Sequence, residues 1–332
     1  MRNTYDFTKE LIQSVKPDFA YNGNLADWQP KAKEKLRSLL GMNKFTLCDL
    51  DLQIEFTKEH PDFTEIRFTF QSETGYRVPC HLLLPVGIEN PPVMVCMQGH
   101  SMGMHVSLAR PKFPCDKEDI ETGDRDYCIR AVKEGFAAVA LEMRNFGEVS
   151  HNNYEPQCYE SAVTNMLMGR TTLGERVWDF SRLIDLLENN FANRLDLDNI
   201  CCMGNSGGGT VTAYIAALED RVKLAMPSCA MCTYKDSIGA MYHCACNYVP
   251  NIATVFDMGD LLAMAYPKYY IQVNGITDDI FPIEGAKKVF IDGKKAYEDN
   301  GAAEKCAHVI GHEGHRFYAD AAWPIVHKML GK

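Results

Sequence analysis

The feature that most constrains this chain is a series of short apolar runs that alternate with longer helical patterns. The runs span residues 92–97, 136–141, 199–203, 222–226, 269–273 and 307–310. Such runs are typical of strands buried on both faces of a parallel sheet. The helical patterns span residues 126–134, 172–189, 207–218, 283–299 and 317–330. This alternation predicts an α/β fold with a mainly parallel central sheet flanked by helices.

The first part of the chain has a different pattern. Residues 1–45 are predicted to be helical, and Gly41 ends the clearest helix, as glycine commonly does. Residues 46–85 are predicted to form strands. Within them, residues 65–70 alternate polar and apolar side chains, which predicts a half-buried antiparallel strand paired with residues 76–84. We therefore divide the chain into an N-terminal helical extension (1–45) and an α/β domain (46–332) that begins with a β-hairpin.

Two long segments, residues 144–170 and 228–262, interrupt the alternation of strands and helices. Loops of this length are uncommon in compact domains and are usually functional or folded as lids. Both segments follow predicted strands, at the end where open α/β sheets bind ligands. We expect them to be cap insertions around a site.

Composition excludes several classes of protein. Apolar residues make up 46% and charged residues 23%, which is ordinary for a globular enzyme. The net charge of -10 argues against a nucleic-acid partner. No apolar run is long enough to span a membrane, and residues 1–16 lack the apolar core of a secretory signal. The 13 cysteines, an odd number, favour a reducing compartment, and we expect a cytoplasmic protein.

Residues 204–208 read Gly-Asn-Ser-Gly-Gly and place Ser206 between a predicted strand and a predicted helix. A Gly-x-Ser-x-Gly motif in this context forms a strained turn that exposes the serine hydroxyl as a nucleophile. The glycines leave room for the close backbone approach of such a turn. The alternative is an ordinary glycine-rich turn, but the strand before the motif and the helix after it favour a nucleophile.

A serine nucleophile needs a base, and the base needs an acid to orient it. When the serine lies on a strand-to-helix turn of an α/β sheet, the three residues follow one another along the chain in the order serine, acid, histidine. Asp278 and Asp279 follow one late strand, and His312 and His315 follow the next. Either member of each pair satisfies the order, and the other would be a solvated turn or loop residue.

The developing oxyanion needs two hydrogen-bond donors. The backbone N–H of Gly207, directly after the candidate nucleophile, is the first. The second should come from the loop after an earlier strand, which here is residues 98–103. The backbone N–H of His100 is the candidate, and this role leaves its side chain without an assigned function.

These motifs resemble the α/β-hydrolase superfamily, and more narrowly its branch of acetyl xylan esterases, cephalosporin-C deacetylases and dienelactone-hydrolase-like proteins. The resemblance covers about residues 75–330. The motifs that carry it are residues 98–100, 142–148, 169–172, 204–208, 278–282 and 314–318.

The resemblance implies a role for one member of each candidate pair. In relatives the acid precedes a short hydrophobic-proline segment, which matches Asp278, and the catalytic histidine follows a glycine just before the last helix, which matches His315. This chain differs from many members of the branch in two features. Many relatives carry His-Gly in the oxyanion loop, where this chain has Gln98-Gly99. Dienelactone hydrolases use a cysteine nucleophile, whereas this chain has Ser206, which implies ester hydrolysis through an acyl-serine.

Three further side chains are candidates for substrate binding. Arg144 and Arg170, in the first insertion, offer planar guanidinium donors for a carboxylate or another polar group. Structural salt bridges that anchor the insertion are the alternative for both arginines. Tyr242, in the second insertion, could line an acyl or sugar pocket, although core packing explains a tyrosine there as well.

The second insertion also carries Cys229, Cys232, His243, Cys244 and Cys246. Cys-x-x-Cys near His-Cys-x-Cys has the spacing of some zinc sites. Cysteines are frequent throughout the chain, however, and the segment lies where the fold places its active-site cap. We therefore favour buried free thiols, with no metal or organic cofactor for the reaction.

Together these features predict a serine carboxylesterase that deacetylates sugars or similar small esters. The substrate is a small molecule, no nucleic-acid or membrane partner is expected, and a homo-oligomer is compatible with the sequence. A peptidase of the same fold is the nearest alternative, but it would usually carry a large N-terminal propeller. A non-catalytic binding protein and a zinc-stabilised interaction module are the alternatives from other classes.

Overall fold

The computed structural model describes residues 1–332, and a nine-stranded sheet lies at its centre. The strands are β1 (Gln53–Glu59), β2 (Phe63–Glu73), β3 (Tyr76–Pro85), β4 (Pro92–Met97), β5 (Ala137–Leu141), β6 (Asp196–Asn205), β7 (Val222–Ser228), β8 (Tyr269–Gly275) and β9 (Cys306–Gly311). Their order across the sheet is β1-β2-β3-β5-β4-β6-β7-β8-β9. The pairs from β1 to β5 are antiparallel, and those from β5 to β9 are parallel.

Eleven helices surround the sheet. They are α1 (Thr4–Ser14), α2 (Leu25–Leu39), α3 (Pro114–Glu121), α4 (Tyr127–Lys133), α5 (Tyr159–Leu167), α6 (Thr172–Asn190), α7 (Gly207–Leu218), α8 (Ile252–Val255), α9 (Met258–Met264), α10 (Ile283–Glu298) and α11 (Ala319–Leu330). One apolar core joins the sheet to α2, α6, α7, α9 and α10, and a second joins it to α4 and α11. Val93 and Val95 of β4 belong to the first core, and Met94 and Cys96 belong to the second.

The predicted α/β class and the six predicted parallel strands, β4 to β9, are confirmed by the parallel pairing of neighbouring strands. Along β4, β5 and β6 alternate side chains enter the two apolar cores, as expected for strands buried on both faces. The β2–β3 hairpin is also present, but β2 is not half-buried as predicted. Its polar face carries Glu65 and Arg67, which are both buried. Glu65 accepts a bidentate pair of hydrogen bonds from Arg110 at 2.7 and 2.8 Å, so its charge is compensated.

The N-terminal helices differ in how firmly they join this unit. Helix α2 places Trp28 and Leu36 in the same core as the sheet. Helix α1 has no buried residue and lies on the second insertion, where Lys9 Nζ donates a 2.8 Å hydrogen bond to the Gly239 carbonyl. The predicted extension is therefore one integrated helix preceded by one peripheral helix.

The two insertions follow β5 and β7, at the carboxyl edge of the parallel strands. The first contains α5, and the second contains a 3₁₀ turn (Ala245–Asn247), α8 and α9. Helix α9 contributes several side chains to the larger core, so the end of the second insertion is part of the scaffold. None of the helices has both the length and the apolar character required to cross a bilayer.

Candidate active site

Ser206 lies at the sharp turn between β6 and α7. Its φ of 56° and ψ of -124° are unusual for a residue with a side chain. Its backbone N–H donates a 2.9 Å hydrogen bond to the Ser228 carbonyl at the end of β7, which holds the strained turn against the neighbouring strand. This is the geometry that the Gly-x-Ser-x-Gly motif predicts.

The flanking glycines are required because the turn packs directly on β4. A Cβ added to Gly208 would lie 2.1 Å from the Met97 carbonyl oxygen, and one added to Gly204 would lie 2.6 Å from the same atom. No side chain fits at those distances. The motif therefore sets how closely α7 approaches the sheet, as well as the exposure of Ser206.

His315 and Asp278 form a hydrogen-bonded pair between the loops that follow β9 and β8. The distance from His315 Nδ1 to Asp278 Oδ2 is 2.9 Å. The other carboxylate oxygen of Asp278 accepts backbone N–H bonds from Ile280 (2.9 Å) and Phe281 (3.1 Å). Burial alone would raise the pKa of Asp278, but these hydrogen bonds and the partner imidazole hold its pKa below the ordinary value. The acid is therefore ionised and positioned to orient the imidazole.

The other members of the two candidate pairs lie outside this arrangement. Asp279 is exposed. The side chain of His312 is 83% exposed and faces Glu313, whereas that of His315 is 16% exposed. Only the pair that the resemblance selected, Asp278 and His315, is brought together.

The ends of β6, β7, β8 and β9 bring this pair to the same edge as Ser206. Cys229 marks the convergence. It follows Ser228, which binds the Ser206 N–H, and its own N–H donates to the Val273 carbonyl at 2.8 Å. Its Sγ lies within 4.8 Å of a carboxylate oxygen of Asp278 and of a ring nitrogen of His315. The candidate nucleophile, base and acid thus share one loop cluster at the carboxyl edge of the sheet.

The candidate oxyanion donors also meet here. A Cβ added to Gly99 would lie 3.4 Å from Ser206 Cβ, and one added to Gly207 would lie 2.6 Å from the His100 imidazole. The loop after β4 is therefore packed on the turn at Ser206. The backbone N–H groups of His100 and Gly207 donate to no other group of the protein, which leaves both available for an oxyanion.

A buried glutamate, Glu142, holds the oxyanion loop in place through hydrogen bonds. Glu142 Oε1 accepts from Gln98 Nε2 at 2.6 Å and from the Met104 N–H at 3.0 Å, and its Oε2 accepts from the Glu148 N–H at 3.2 Å. Burial raises the pKa of Glu142 to about 8. The side chain of Gln98 thus binds the scaffold beneath the oxyanion loop.

Arg144 and Arg170 are occupied by ion pairs. Arg144 donates two 2.8 Å hydrogen bonds to Asp179 and one of 2.7 Å to Glu73. Arg170 donates to both oxygens of the same Glu73 at 2.7 and 3.0 Å. Both guanidinium groups are thus paired with carboxylates of the protein, and these contacts support the structural alternative over substrate binding.

Tyr242 is 91% exposed. Its side chain therefore does not pack in the core. Its predicted contact with substrate receives no support from the described contacts.

The cysteines and histidine of the second insertion do not form the single cluster that their spacing suggested. Cys229 Sγ donates to the Arg316 carbonyl at 3.2 Å, and Cys232 Sγ donates to the Pro282 carbonyl at 3.6 Å. His243 Nε2 lies 3.1 Å from Ser237 Oγ. Cys244 and Cys246 point elsewhere, toward His100 and Cys158 of other segments.

Sequence reasoning gave no role to three residues near the site. Glu142 lay inside a motif that carried the resemblance, but nothing in the sequence indicated that it binds the oxyanion loop. Cys158 is an isolated cysteine in the first insertion, and Arg176 lies on an ordinary amphipathic helix. Their importance depends on contacts between distant segments, for which one sequence carries no signal.

No protein-family model matches the chain. Among curated proteins it is similar to the putative hydrolase YtaP of Bacillus subtilis (strain 168), with 22% identity over 237 residues that cover 70% of this chain and 76% of the relative.

Two solved structures with similar folds are esterases by description. One is a putative acetyl xylan esterase from Bacteroides fragilis NCTC 9343, with a TM-score of 0.76, 15% identity and coverage of 94% of this chain and 82% of that chain. The other is a glucuronoyl esterase from Solibacter usitatus, with a TM-score of 0.68, 13% identity and coverage of 96% and 98%. The resemblance inferred from the motifs is thus confirmed at the level of architecture: the chain has the α/β-hydrolase fold.

Proposed function

We propose that this protein is a serine carboxylesterase. The observation that carries the proposal is the 2.9 Å hydrogen bond between His315 and Asp278 at the edge of the sheet where the strained turn exposes Ser206. A protein that only binds a ligand on this scaffold has no need of a nucleophile turn, an oriented imidazole and two free oxyanion donors together.

In the proposed mechanism each group has one role. His315 accepts the proton of the Ser206 hydroxyl as that oxygen attacks the ester carbonyl carbon. Asp278 fixes the tautomer of His315 and stabilises its cationic form. The N–H groups of His100 and Gly207 bind the oxyanion. His315 then protonates the departing alcohol, and it activates a water that hydrolyses the acyl-serine.

The proposed substrate is a small ester, with acetylated sugars as the first class to test. The similar folds of an acetyl xylan esterase and a glucuronoyl esterase support this choice. The odd number of cysteines, thirteen, supports a reducing compartment such as the cytoplasm.

The test is hydrolysis of p-nitrophenyl acetate and a panel of acetylated sugars by wild type, Ser206→Ala and the control Ser38→Ala. Ser38 is an exposed serine on α2. We expect Ser206→Ala to lose at least about 10³-fold in kcat and the control to match wild type. Equal turnover by wild type and Ser206→Ala would contradict the proposal. Amide hydrolysis faster than ester hydrolysis would favour a peptidase instead.

A further inference from the structure

A second cluster of chemically active side chains lies beside the candidate oxyanion loop. It consists of His100, Cys158, Cys244 and Cys246, whose ligating atoms all lie within 4.8 Å of one another. We propose that these four residues form a structural zinc site. The sequence suggested zinc only within the second insertion, with a different set of ligands, and the ester chemistry requires no metal.

The distances match tetrahedral coordination. With Zn–S bonds of about 2.3 Å and a Zn–N bond of about 2.0 Å, neighbouring sulfurs lie about 3.8 Å apart and a nitrogen lies about 3.5 Å from each sulfur. The Sγ atoms of Cys244 and Cys246 are 3.4 Å apart, and His100 Nε2 is 3.2 Å from Cys246 Sγ. Small adjustments would therefore close the four donors around one ion.

A buried positive charge beside the cluster is the second, independent observation. Arg176 is 0% exposed and forms no salt bridge with a carboxylate. Its Nη2 donates to the Arg144 carbonyl at 2.9 Å and to Cys158 Sγ at 3.5 Å, whereas Nε and Nη1 have no partner. A buried guanidinium without a counter-charge is strongly unfavourable.

A zinc ion bound by the cluster supplies that counter-charge. Zn²⁺ with three thiolates and one neutral imidazole carries a net charge of about −1, which balances the +1 of Arg176.

The donor set indicates a structural role. Three thiolates and an imidazole fill all four positions of tetrahedral zinc, whereas catalytic zinc keeps one position open for water or substrate. The ligands come from three segments: the oxyanion loop (His100), the first insertion (Cys158) and the second insertion (Cys244 and Cys246). The ion would fasten both insertions to the loop that carries one oxyanion donor.

His100 makes this linkage close to the proposed chemistry. Its imidazole occupies the space where a Cβ of Gly207 would lie, and its backbone N–H donates to no group of the protein. Binding of Nε2 to zinc would fix the ring, and with the ring the position of that N–H. The His100 side chain thus acts as a positioning residue for the backbone N–H that is the candidate oxyanion donor.

The test measures metal directly and does not depend on activity. Wild type, Cys158→Ser, Cys246→Ser and the control Cys232→Ser are expressed with added zinc and purified with a reductant and without chelator. Cys232 is a buried cysteine of the same insertion outside the cluster. We expect about one zinc per chain in wild type and control, and less than about a tenth of that in the two cluster variants.

A second measurement uses wild type alone, so it stands if a variant fails to fold. Metal-free wild type is prepared under reducing conditions and titrated with Co²⁺. We expect thiolate-to-cobalt charge-transfer absorption and intense d–d bands typical of tetrahedral coordination, saturating at one ion per chain. Reduced wild type that contains no zinc and binds neither Zn²⁺ nor Co²⁺ would overturn the proposal. So would zinc retained in full by both cluster variants, or a Cys244–Cys246 disulfide in protein kept under reductant.

Discussion

His315 Nδ1 lies 2.9 Å from Asp278 Oδ2, and the adjacent Asp279 is exposed. Asp278→Asn should therefore lower kcat for p-nitrophenyl acetate by about 10³–10⁴-fold, because an amide favours the wrong tautomer of the imidazole. Asp279→Asn is the matched control and should stay within about twofold of wild type. A larger loss in the control variant would reverse the assignment of the acid.

The histidines give a parallel comparison. His315→Ala should remove nearly all activity, since Ser206 then has no base, whereas His312→Ala changes an 83% exposed side chain and should be close to neutral. Initial rates on the same ester, with folding checked by circular dichroism, decide between them. A larger loss of rate in His312→Ala than in His315→Ala would contradict the assignment of His315 as the base.

The ion pairs of Arg144 predict an effect on stability rather than on substrate binding. Arg144→Met leaves Asp179 without its bidentate partner, so we expect a loss of about 3–5 kcal/mol in the free energy of unfolding. Arg2→Met is the control, because Arg2 pairs with Glu10 at the exposed surface, where such pairs contribute at most about 1 kcal/mol. Urea denaturation measures both.

If Arg144 instead binds substrate, the variant should raise KM several-fold while its urea midpoint stays near that of wild type. The structural assignment predicts the opposite: an unchanged KM at a temperature where the variant is folded, together with a lower midpoint.

Glu142 predicts a pH dependence of stability. Its pKa is raised to about 8 by burial, so between its ordinary value and pH 8 the folded protein binds one more proton than the unfolded chain. The free energy of folding that this extra proton contributes is fully present below the ordinary pKa of glutamate. It is lost as the pH rises from there through 8, with a slope of at most about 1.4 kcal/mol per pH unit. The Glu142→Gln variant lacks this titration, so its free energy of unfolding should fall less over pH 5–8. An identical slope in wild type and variant would contradict the raised pKa.

The parallel strands and the turn at Ser206 could be predicted because they depend on local signals. The run at residues 92–97 is apolar throughout and became β4 with the same bounds, and the glycines around Ser206 mark a backbone that no side chain could follow. Strand β1 lies within residues 46–85, which are predicted as strands, but its bounds could not be predicted, because it is an edge strand whose seven residues are all exposed.

The remaining features depend on contacts between distant segments. The ion pairs of Arg144 and Arg170 with Glu73 join the first insertion to β2, and spacing along the chain gives no sign of them. The cluster of His100, Cys158, Cys244 and Cys246 also depends on contacts between distant segments. Cys244 and Cys246 were visible as a motif, but their partners Cys158 and His100 lie in two other segments that only the fold brings together.

The central claim is that Ser206 is the nucleophile, and covalent labelling tests it most directly. Wild type and Ser206→Ala are treated with a fluorophosphonate, digested and mapped by mass spectrometry. We expect a single adduct on the peptide that contains Ser206 in wild type, and no adduct in the variant. An adduct on another residue that persists in Ser206→Ala, or a wild type that hydrolyses esters while remaining unlabelled, would contradict it.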